Sequence, residues 1–582
     1  MAPQRYIPSK APRTACTATI LSEGSEVSRA HHLVSVVINK EINRIPSATI
    51  VYADGDVAKQ TFELSSKSDF EPGKKIEIKV GYRGKEDTVF KGIVVKHGIK
   101  VKSGATLLVV ECRDEAMKMT ISARNKYYAD SKDSDAIETV IGNHGVQKDV
   151  EATSVTHKEI VQYNATDWDF MMCRAEMNGM LCFVNDGKIK VGKPQFSGES
   201  VLKIAFGATI YDLDAEVDAR LQYKAVKATA WNPADQKMVD GIEGKKAQPP
   251  KAGNLDSDKL ADVAGEKDFS LQHSGNVKDQ ELQQWADSMM LKHSLAKIRG
   301  SVRTDGYAEI KPGDLIELLK VGDRFEGKLY VTGVRHEIGS GSWYTVTQFG
   351  VEPEWFAQTY KVEQPLAGAL LPAITGLHVG VVTDLEDPDG EDRIRVRMPV
   401  ISTSDDGIWS RIATTDAGKQ RGTFFRPEIG DEVIVGFLNN DPRHAIVIGM
   451  CNSSNKPAPL KAQNPNHEKG YVSRSDMRMI FNDDKKTITI TTPGGHKVLI
   501  SDDEKKIYME DLNGNKFTMD KDGIKMESIK DIVMKAQKDI KAEASSNVNV
   551  KASAQTKVEG SAGAEFSSGA NTVVKGSMVQ IN

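Results

Sequence analysis

Residues 548–582 read VNVKASAQTKVEGSAGAEFSSGANTVVKGSMVQIN and belong to a repeat of eight residues. Counted from Ile524, the first position of each octad holds Ile524, Ile532, Ile540, Val548, Thr556, Ala564 and Thr572. The third position holds Met526, Met534, Ala542, Val550, Val558, Phe566 and Val574. The fifth position is always Ser, Ala or Gly. Because eight is even, an extended strand shows the same face in every octad, whereas a helix would rotate its stripe by about 80° per octad.

A helix remains an alternative for the start of the repeat. Ile529, Ile532, Val533, Ala536 and Ile540 have helical spacing, so residues 526–545 alone would suit a coiled coil. The later octads contain glycine at 560, 563, 569 and 576, which disfavours a helix. Since one frame runs through both halves, we interpret both as strands.

A single layer of such strands cannot bury its apolar residues. We therefore predict an intertwined β-helix or prism made of several copies of the chain, most simply three. The predicted trimer core contains Ile532, Met534, Ile540, Val548, Val550, Val558, Phe566 and Val574. Alternating Glu and Lys at the fourth position would pair between neighbouring chains and fix the register. On this hypothesis Val558→Asp would bury a charge and block assembly.

The segment before the octads, from Met477 to Met526, predicts five alternating strands separated by Asn, Asp and Gly turns. An ordinary meander sheet is one interpretation. The direct continuation into the octads favours the other, a widened base of the same shaft.

Residues 373–455 predict a separate small β unit. GLHVGVVTDLEDPDGEDRIRVRMPV gives two strands, GIWSRIATT a third, and RPEIGDEVIVGFLNNDPRHAIVIGM two more. Five short strands with these turns suit an oligonucleotide/oligosaccharide-binding (OB) barrel.

The run RGTFFRPEIGDEVIVGFLNNDPRHAIVIG, after IRVRMP and WSRIA, resembles the OB domain of VgrG-type spike proteins. These are the central spikes of type VI secretion systems and phage-tail-like contractile injection systems. YNATDWDFMMCRAEMNGMLCFVNDGKIKVG and the block from Gly306 to Phe349 are similar to segments of VgrG and phage tail-hub domains. In the first of these, Thr166 can cap a helix that ends at Asn178-Gly179.

The resemblance implies a mainly β, multidomain protein. We expect a hub of two related barrel-like lobes over 1–370, with an exposed loop at about 232–267 and an amphipathic helix over 277–298. An OB domain follows at 371–455, a linker at 456–475 and the trimeric shaft at 476–582. The hub is expected to dock on a hexameric inner-tube protein and on baseplate proteins.

The last residues of the repeat would need a cap. The resemblance implies a conical PAAR-like tip protein that contacts Ser577, Met578, Val579, Gln580, Ile581 and Asn582, with effectors as possible cargo. The homotrimer would contact a target membrane only transiently.

The composition argues against several other classes of protein. A formal net charge of -4 in 582 residues argues against a nucleic-acid binder. No apolar run approaches a membrane span, and the first residues lack the features of a signal peptide. The five cysteines do not form a disulfide framework. We expect assembly in a bacterial cytoplasm, followed by ejection or release in an injection particle.

The sequence predicts no catalytic residue, cofactor or metal. No HxH, HExxH or CxxC spacing occurs, and His336 is interpreted as structural. The acidic loop around Asp387 is interpreted as solvated, and Glu428, Asp431 and Glu432 as structural. A phage cell-wall hydrolase would need a domain between Cys451 and Ser475, where none fits. A receptor-binding fibre is the other alternative, but it explains only the β-helix.

Overall fold

A computed structural model describes residues 15–266 and 268–581. The chain divides into two compact units. The first contains the residues up to Thr375 together with Phe437–His444, and the second contains Gly376–Gly436 and the residues from Ala445 onward.

The first lobe of the first unit is a set of alternating strands around an apolar core. Phe70 and Phe90 are fully buried in this core. A 3₁₀ turn, Ser68–Phe70, carries the first of these phenylalanines. The strands are β1 (Cys16–Ser22), β2 (Ser25–Glu26), β3 (Leu33–Glu41), β4 (Ser47–Ala53), β5 (Lys75–Tyr82), β6 (Lys85–Lys102) and β7 (Ala105–Arg113).

A mixed segment follows, with two helices packed against each other. Its elements are a 3₁₀ helix (Glu115–Thr120), β8 (Ala123–Lys132), α1 (Asp133–Gly142), β9 (Gln147–Val150), β10 (Thr156–Thr166), α2 (Asp167–Met177), β11 (Leu181–Asn185) and β12 (Lys188–Gly192). Thr166 caps α2, because its Oγ1 accepts a hydrogen bond from Asp169 N at 3.1 Å. Asn178 ends the helix and Gly179 has a φ of +67°. The predicted cap and stop are confirmed.

The second lobe completes the first unit. Its elements are β13 (Leu202–Ala205), β14 (Asp212–Val217), β15 (Ala225–Asn232), β16 (Lys237–Met238), β17 (Ile242–Glu243), α3 (Ser257–Ala264), β18 (Asp268–His273), α4 (Asp279–Leu295), β19 (Ile298–Asp305), β20 (Leu315–Leu319), β21 (Gly327–Gly339), β22 (Ser342–Phe349) and α5 (Phe356–Thr359), with a 3₁₀ turn at Leu366–Ala369. The predicted amphipathic helix is α4, which packs on β15 through Leu282 and Ala286.

The expectation of one exposed loop over 232–267 is wrong. Two short strands, β16 and β17, pair with β15, and α3 occupies the end of the segment. Leu260 and Ala261 are buried, so this polar stretch still contributes apolar anchors to the lobe. The composition of residues 232–267 is polar and contains prolines, so the sequence pattern did not reveal these few apolar anchors.

The two lobes have separate cores but share one sheet. Thirteen strands form this sheet, whose main path runs β14-β19-β22-β21-β3-β4-β7-β6-β5-β1-β2. The long strand β21 pairs with β22 on one side and with β3 on the other, and so joins the lobes through backbone hydrogen bonds.

The second unit begins with the predicted OB barrel, which is closed by pairing in the order β23-β24-β25-β29-β28. Asp387 closes its acidic loop by accepting hydrogen bonds from the backbone N–H groups of Asp389, Glu391 and Arg393. The strands are β23 (His378–Asp384), β24 (Ile394–Arg397), β25 (Ile408–Ile412), β26 (Ala417–Gly418), β27 (Arg421–Gly422), β28 (Glu432–Phe437) and β29 (Ala445–Met450); a 3₁₀ turn (Leu438–Asn440) belongs to the first unit.

Seven antiparallel strands in consecutive order form the last sheet. They are β30 (Glu468–Val472), β31 (Arg478–Asn482), β32 (Thr487–Thr491), β33 (Lys497–Ser501), β34 (Lys506–Glu510), β35 (Lys516–Asp520) and β36 (Gly523–Glu527). β30 lies inside the segment 456–475 that the sequence assigned to a linker, so the sheet starts earlier than expected. The reason is cross-strand pairing: Tyr471 stands opposite Met479.

Candidate assembly surface

The seven-stranded sheet has one face that is almost entirely apolar. Directly paired residues share a face, and the registers define two rows that cross the sheet. We call these rows the apolar face. The first row is Tyr471, Met479, Ile490, Val498, Met509, Phe517 and Met526. The second is Phe481, Ile488, Ile500, Ile507, Met519 and Ile524, with Lys469 at its start.

The apolar face is not covered by the chain itself. Met479, Ile490 and Met509 are 41%, 43% and 46% exposed. A cavity of about 520 Å³ lies along the first row, between strands β32 to β36 and the side chain of Ile532. Contiguous apolar surface of this kind marks an interaction site in a stable protein.

The opposite face of the sheet is polar at one edge and carries a ladder of alternating charge. Lys497, Glu510, Lys516 and Glu527 are neighbours across four successive strands. Lys516 Nζ lies 3.4 Å from Glu510 Oε1, and Tyr508 donates a hydrogen bond of 2.7 Å to the same carboxylate. Opposite charges on directly paired residues favour this register over a slipped one.

Strand β36 joins the sheet to the octad repeat. Ile524 and Met526, the first and third positions of the first octad, belong to the two rows of the apolar face. Glu527, the fourth position, belongs to the charge ladder. The first octad therefore shares the two faces of the sheet: its apolar positions lie in the apolar rows, and its charged position lies in the ladder.

After β36 the backbone keeps an eight-residue period. It bends at 529–530, 537–538, 545–546, 553–554, 561–562, 569–570 and 577–578. Between residues 530 and 581 the structure describes no helix, no strand and no hydrogen bond from one backbone group to another. Main-chain N–H and C=O groups are obligatory hydrogen-bonding groups. The predicted octad strands are therefore not formed in the single chain: the segments between bends have no strand partner among the described residues.

The first bend is fixed to the sheet by one side chain. Asn515 Oδ1 accepts hydrogen bonds from Ser528 Oγ at 2.9 Å and from Ile529 N at 3.2 Å. Asn515 in turn donates from Nδ2 to Asp511 Oδ2 at 2.7 Å, and this hydrogen bond is the first cause of a pKa of about 2 for Asp511. The turn at 511–515 therefore sets where the repeat leaves the sheet.

All the predicted core positions are uncovered in the single chain. Their exposed fractions run from 55% at Ile532 to 76% at Val550, with Met534, Ile540, Val548, Val558, Phe566 and Val574 between these values. The structure places them at recurring positions of one frame and does not bring them together within the single chain.

Two of the carboxylates at the fourth position of the octads, Glu527 and Glu559, already have partners within the chain. Lys525 Nζ lies 2.6 Å from Glu527 Oε1, and Lys557 forms an ion pair with Glu559. Pairing between chains, as expected from the sequence, would therefore share these carboxylates rather than find them free.

The proposed cap contact lies at the last bend, which is at Ser577–Met578. Met578 and Ile581 are 84% and 90% exposed, and Val579 is 49% exposed. Gln580 belongs to the same described segment, whereas Asn582 lies outside the described residues.

His336 and the carboxylates of the OB domain have structural partners. His336 is buried, with Nδ1 3.0 Å from Thr345 Oγ1 and 3.3 Å from the Nε1–H of Trp343. Burial lowers its pKa to about 3. The Arg393 guanidinium holds the pKa of Asp387 well below its usual value. Lys456 and Arg474 contact Asp431 and Glu428, each at 2.7 Å.

Within 15–266 and 268–581, no group of three or more His, Cys, Asp or Glu side chains is placed to hold a metal ion. None of the helices in the same ranges combines the length and the apolar composition of a membrane span.

The sequence did not single out the apolar face of residues 471–519. Its signal was present as strict alternation of polar and apolar residues in the strand TITIT. Alternation alone gives each strand two faces, and the registers were needed to align them into two rows.

Two family models match the chain. One, described as the Alg8 N-terminal domain, matches residues 12–340, which is more than half of the chain. The other, described as the type VI secretion system/phage-baseplate injector OB domain, matches residues 378–451. The second match coincides with the closed barrel.

Individual relatives agree with the second of these matches. The type VI secretion system spike protein VgrG1a of Pseudomonas aeruginosa is 26% identical over 223 residues, covering 34% of this chain and 33% of the relative. VgrG3 of Vibrio cholerae serotype O1 is 31% identical over 116 residues, covering 18% of this chain and 11% of the relative. The chain thus matches a third or less of the length of these two curated relatives.

Among solved structures, a tail protein from Neisseria meningitidis MC58 aligns with 15% identity and a TM-score of 0.45, covering 59% of this chain and 98% of that one. The resemblance to VgrG-type spike proteins predicted from the sequence is confirmed by the OB match and the curated relatives. The chain belongs to the Alg8 N-terminal domain family, and its residues 378–451 match the type VI secretion system/phage-baseplate injector OB domain.

Proposed function

We propose that this chain is the structural, membrane-puncturing central spike of a contractile injection system, and that three copies form its shaft. The spike joins the inner tube to a tip cap and delivers effectors when the sheath contracts. It assembles in a bacterial cytoplasm and leaves the cell, or the particle, on firing. The confirmed family resemblance supports this function.

The observation that carries the proposal is the continuity between the sheet and the octads. Ile524 and Met526 belong at once to the apolar face and to the octad frame. Every later octad repeats that residue pattern with exposed apolar side chains, and its backbone has no strand partner among the described residues. Copies of the same chain, in the same frame, would supply both an apolar interior and strand partners.

Rigidity is the mechanical property that such a shaft needs. In a closed prism every backbone group is hydrogen-bonded to a neighbouring chain, so no long strand edge is left free. Apolar residues at two of eight positions fill a narrow interior, while Ser, Ala and Gly at the fifth position allow close packing. Cross-strand ion pairs contribute only about 0.2–1 kcal/mol each, but they repeat along the shaft.

Polarity inverts at the end of the repeat, which supports a protein contact there. Gln580 takes the first position, which is apolar in the early octads. Met578, Val579 and Ile581 place apolar side chains at positions held by polar or small residues in most earlier octads. We assign residues 577–582 to the contact with a PAAR-like tip protein. The hub, residues 1–370, is assigned to the hexameric inner tube and the baseplate, and effectors to the tip.

We assign the chain no catalytic role. His336 serves the packing of β21 against β22, and Asp387 closes a loop of the OB barrel. No observation in the structure favours the cell-wall hydrolase or the receptor-binding fibre.

The test compares two neighbouring positions of one octad. Val550→Asp places a carboxylate at an inward position of each chain, whereas Asn549→Asp places it at the adjacent outward position. Bringing three carboxylates together in an apolar interior should make trimer formation less favourable by roughly several kcal/mol. Nearly all of the Val550→Asp protein should therefore fail to form trimers. Light scattering after gel filtration measures the mass.

The Asn549→Asp protein is the control and should keep the mass of three chains. Equal masses for the two variants would contradict the assignment of inward and outward positions. A wild-type monomer would contradict the trimer itself.

A further inference from the structure

Two neighbouring cavities in the first unit form a basic groove. Their volumes are about 330 and 490 Å³, and the side chain of Glu41 lines both. We define the basic groove by Arg44, Arg113, Lys190, Lys193, Lys311 and Arg335. Together the two cavities are lined by seven lysines and arginines and by three carboxylates, although the chain as a whole is acidic.

The three carboxylates do not neutralise the groove. Glu41 pairs with Arg44 at 3.1 Å. Asp169 accepts a hydrogen bond of 2.6 Å from Thr166 at the start of α2. Asp314 accepts one of 2.8 Å from the backbone of Lys311, and burial raises its pKa. Each acid is therefore occupied by its own local structure.

Four of the cations remain available. Within the described parts of the chain, the side chains of Arg113, Lys190, Lys193 and Lys311 have no hydrogen-bond or ion-pair partner. Lys188, which also lines the smaller cavity, differs because it pairs with Asp149 at 3.3 Å. An excess of unpaired cations in a concave site attracts and orients anions.

Rigid elements position these cations. Lys190 lies on the exposed side of β12, whose alternate residues Ile189 and Val191 are fully buried. Arg113 is the last residue of β7. The loop that carries Lys311 lies close to Phe183: a Cβ on Gly313, whose φ is +101°, would approach that ring to 2.9 Å. The charges are therefore held on strands and on one tight loop.

We propose that the basic groove binds an extended, acidic polypeptide segment of a partner protein. Arginine presents a planar fork to carboxylates, and lysine adds point charges. Cations placed in both cavities, on either side of Glu41, suit a ligand with several carboxylates along its length. This site is separate from the shaft, and its test does not depend on trimer formation.

The aromatic residues of the groove select a peptide over a nucleic acid. Non-specific binding of single strands uses exposed aromatic faces on which bases stack. Trp168 and Phe356 line the larger cavity but are only 5% and 8% exposed, so they form apolar walls for aliphatic groups of a peptide. Tyr360, at 39%, is the one exposed aromatic side chain among the residues that line this cavity, and a single ring does not stack successive bases.

Fluorescence anisotropy with the full chain tests the site. The probe is a fluorescein-labelled peptide of alternating glutamate and serine, and the matched probe replaces glutamate by lysine. The groove variant is Arg113→Glu with Lys190→Glu. The control variant, Lys100→Glu with Lys102→Glu, makes the same charge change on an exposed hairpin far along the sequence from β12.

The glutamate probe should bind the wild type and the control variant alike, and the lysine probe should bind neither. Each reversed charge in the groove should weaken binding of the glutamate probe by about fivefold. Arg113→Gln with Lys190→Gln, which removes charge without reversing it, should give a smaller loss and guards against misfolding of the first variant. Equal weakening by the groove and control variants, or no saturable binding, would overturn the proposal. Displacement of the glutamate probe by a poly-dT oligonucleotide at lower concentration than by unlabelled peptide would overturn the peptide assignment.

Discussion

The OB barrel and the octad repeat are both made of short apolar-polar strands, yet they differ in where the partners come from. In the barrel, Val433 and Val435 are fully buried, and five strands close on one another within one chain. In the octads, Val548 and Val550 are 60% and 76% exposed, and the backbone has no strand partner in the described chain. The same residue type is therefore a self-sufficient core in one region and an uncovered surface in the other.

The largest expected effect comes from replacing a phenylalanine in each of the two kinds of region. Phe90 is fully buried in the first lobe, and Phe566 is 72% exposed in the single chain. Phe90→Ala should lower the free energy of unfolding of the first unit by about 3–5 kcal/mol, because it leaves a cavity. Phe566→Ala should leave that unit unchanged and instead lower the temperature at which the trimer dissociates.

Denaturant titration followed by tryptophan fluorescence measures the first effect, and resistance to warm SDS measures the second. If Phe566→Ala changed unfolding of the first unit while trimer resistance stayed the same, the contrast between the two regions would be wrong.

The pH dependence of the first unit should come in part from His336. Its pKa of about 3 in the folded state lies below the ordinary value of 6.5, mainly because of burial and then because of Lys40. As the pH falls, the unfolded chain binds a proton on this imidazole before the folded chain does. The contribution of the neutral His336 to the free energy of unfolding is therefore complete above about pH 6.5 and is lost as the pH falls toward 3. Protonating Nδ1 would also oppose the N–H of Trp343.

The measurement is the urea midpoint of the first unit at about pH 7.5 and about pH 5. The midpoint should fall at the lower pH, and it should fall less in His336→Gln, whose amide oxygen can still accept from Trp343. His293, whose pKa burial lowers to about 4, should retain part of the dependence in the variant. A urea midpoint that rose at the lower pH would contradict this role of His336.

A smaller effect is expected at the cap of α2. Thr166→Ala removes the acceptor for Asp169 N and should reduce the stability of the first unit by about 1 kcal/mol. Thr166→Ser keeps the hydroxyl and should restore most of the loss. Thermal unfolding by circular dichroism checks both variants, and an alanine variant as stable as the wild type would show that the cap contributes nothing.

The smallest effect should come from the charges on the shaft. Lys557 and Glu559 are 70% and 69% exposed, so Lys557→Gln should change trimer stability by less than about 1 kcal/mol. High salt should remove even that difference. Loss of trimers on this substitution would mean that the ion pair, rather than the apolar positions, specifies assembly.

Local sequence signals predicted the closed OB strands, the Thr166 cap and the octad period, because each depends on residues close in the chain. The repeated bends at intervals of eight confirm the period. The elements within 232–267 and strand β30 were missed, since a few anchors such as Leu260 and Tyr471 act only through distant partners. The apolar face likewise depends on registers across seven strands, and the basic groove on residues from β3, β7, β12 and β21, which no short pattern connects.

The most direct test of the shaft is the mass of the purified full chain in solution, measured by light scattering before and after warm SDS. We predict a particle of three chains that survives this treatment, because the apolar face and the octads of each chain are then covered by the other two chains. A monomer whose residues 528–581 are rapidly cleaved by protease would contradict the trimer and would restore the helical alternative for residues 526–545.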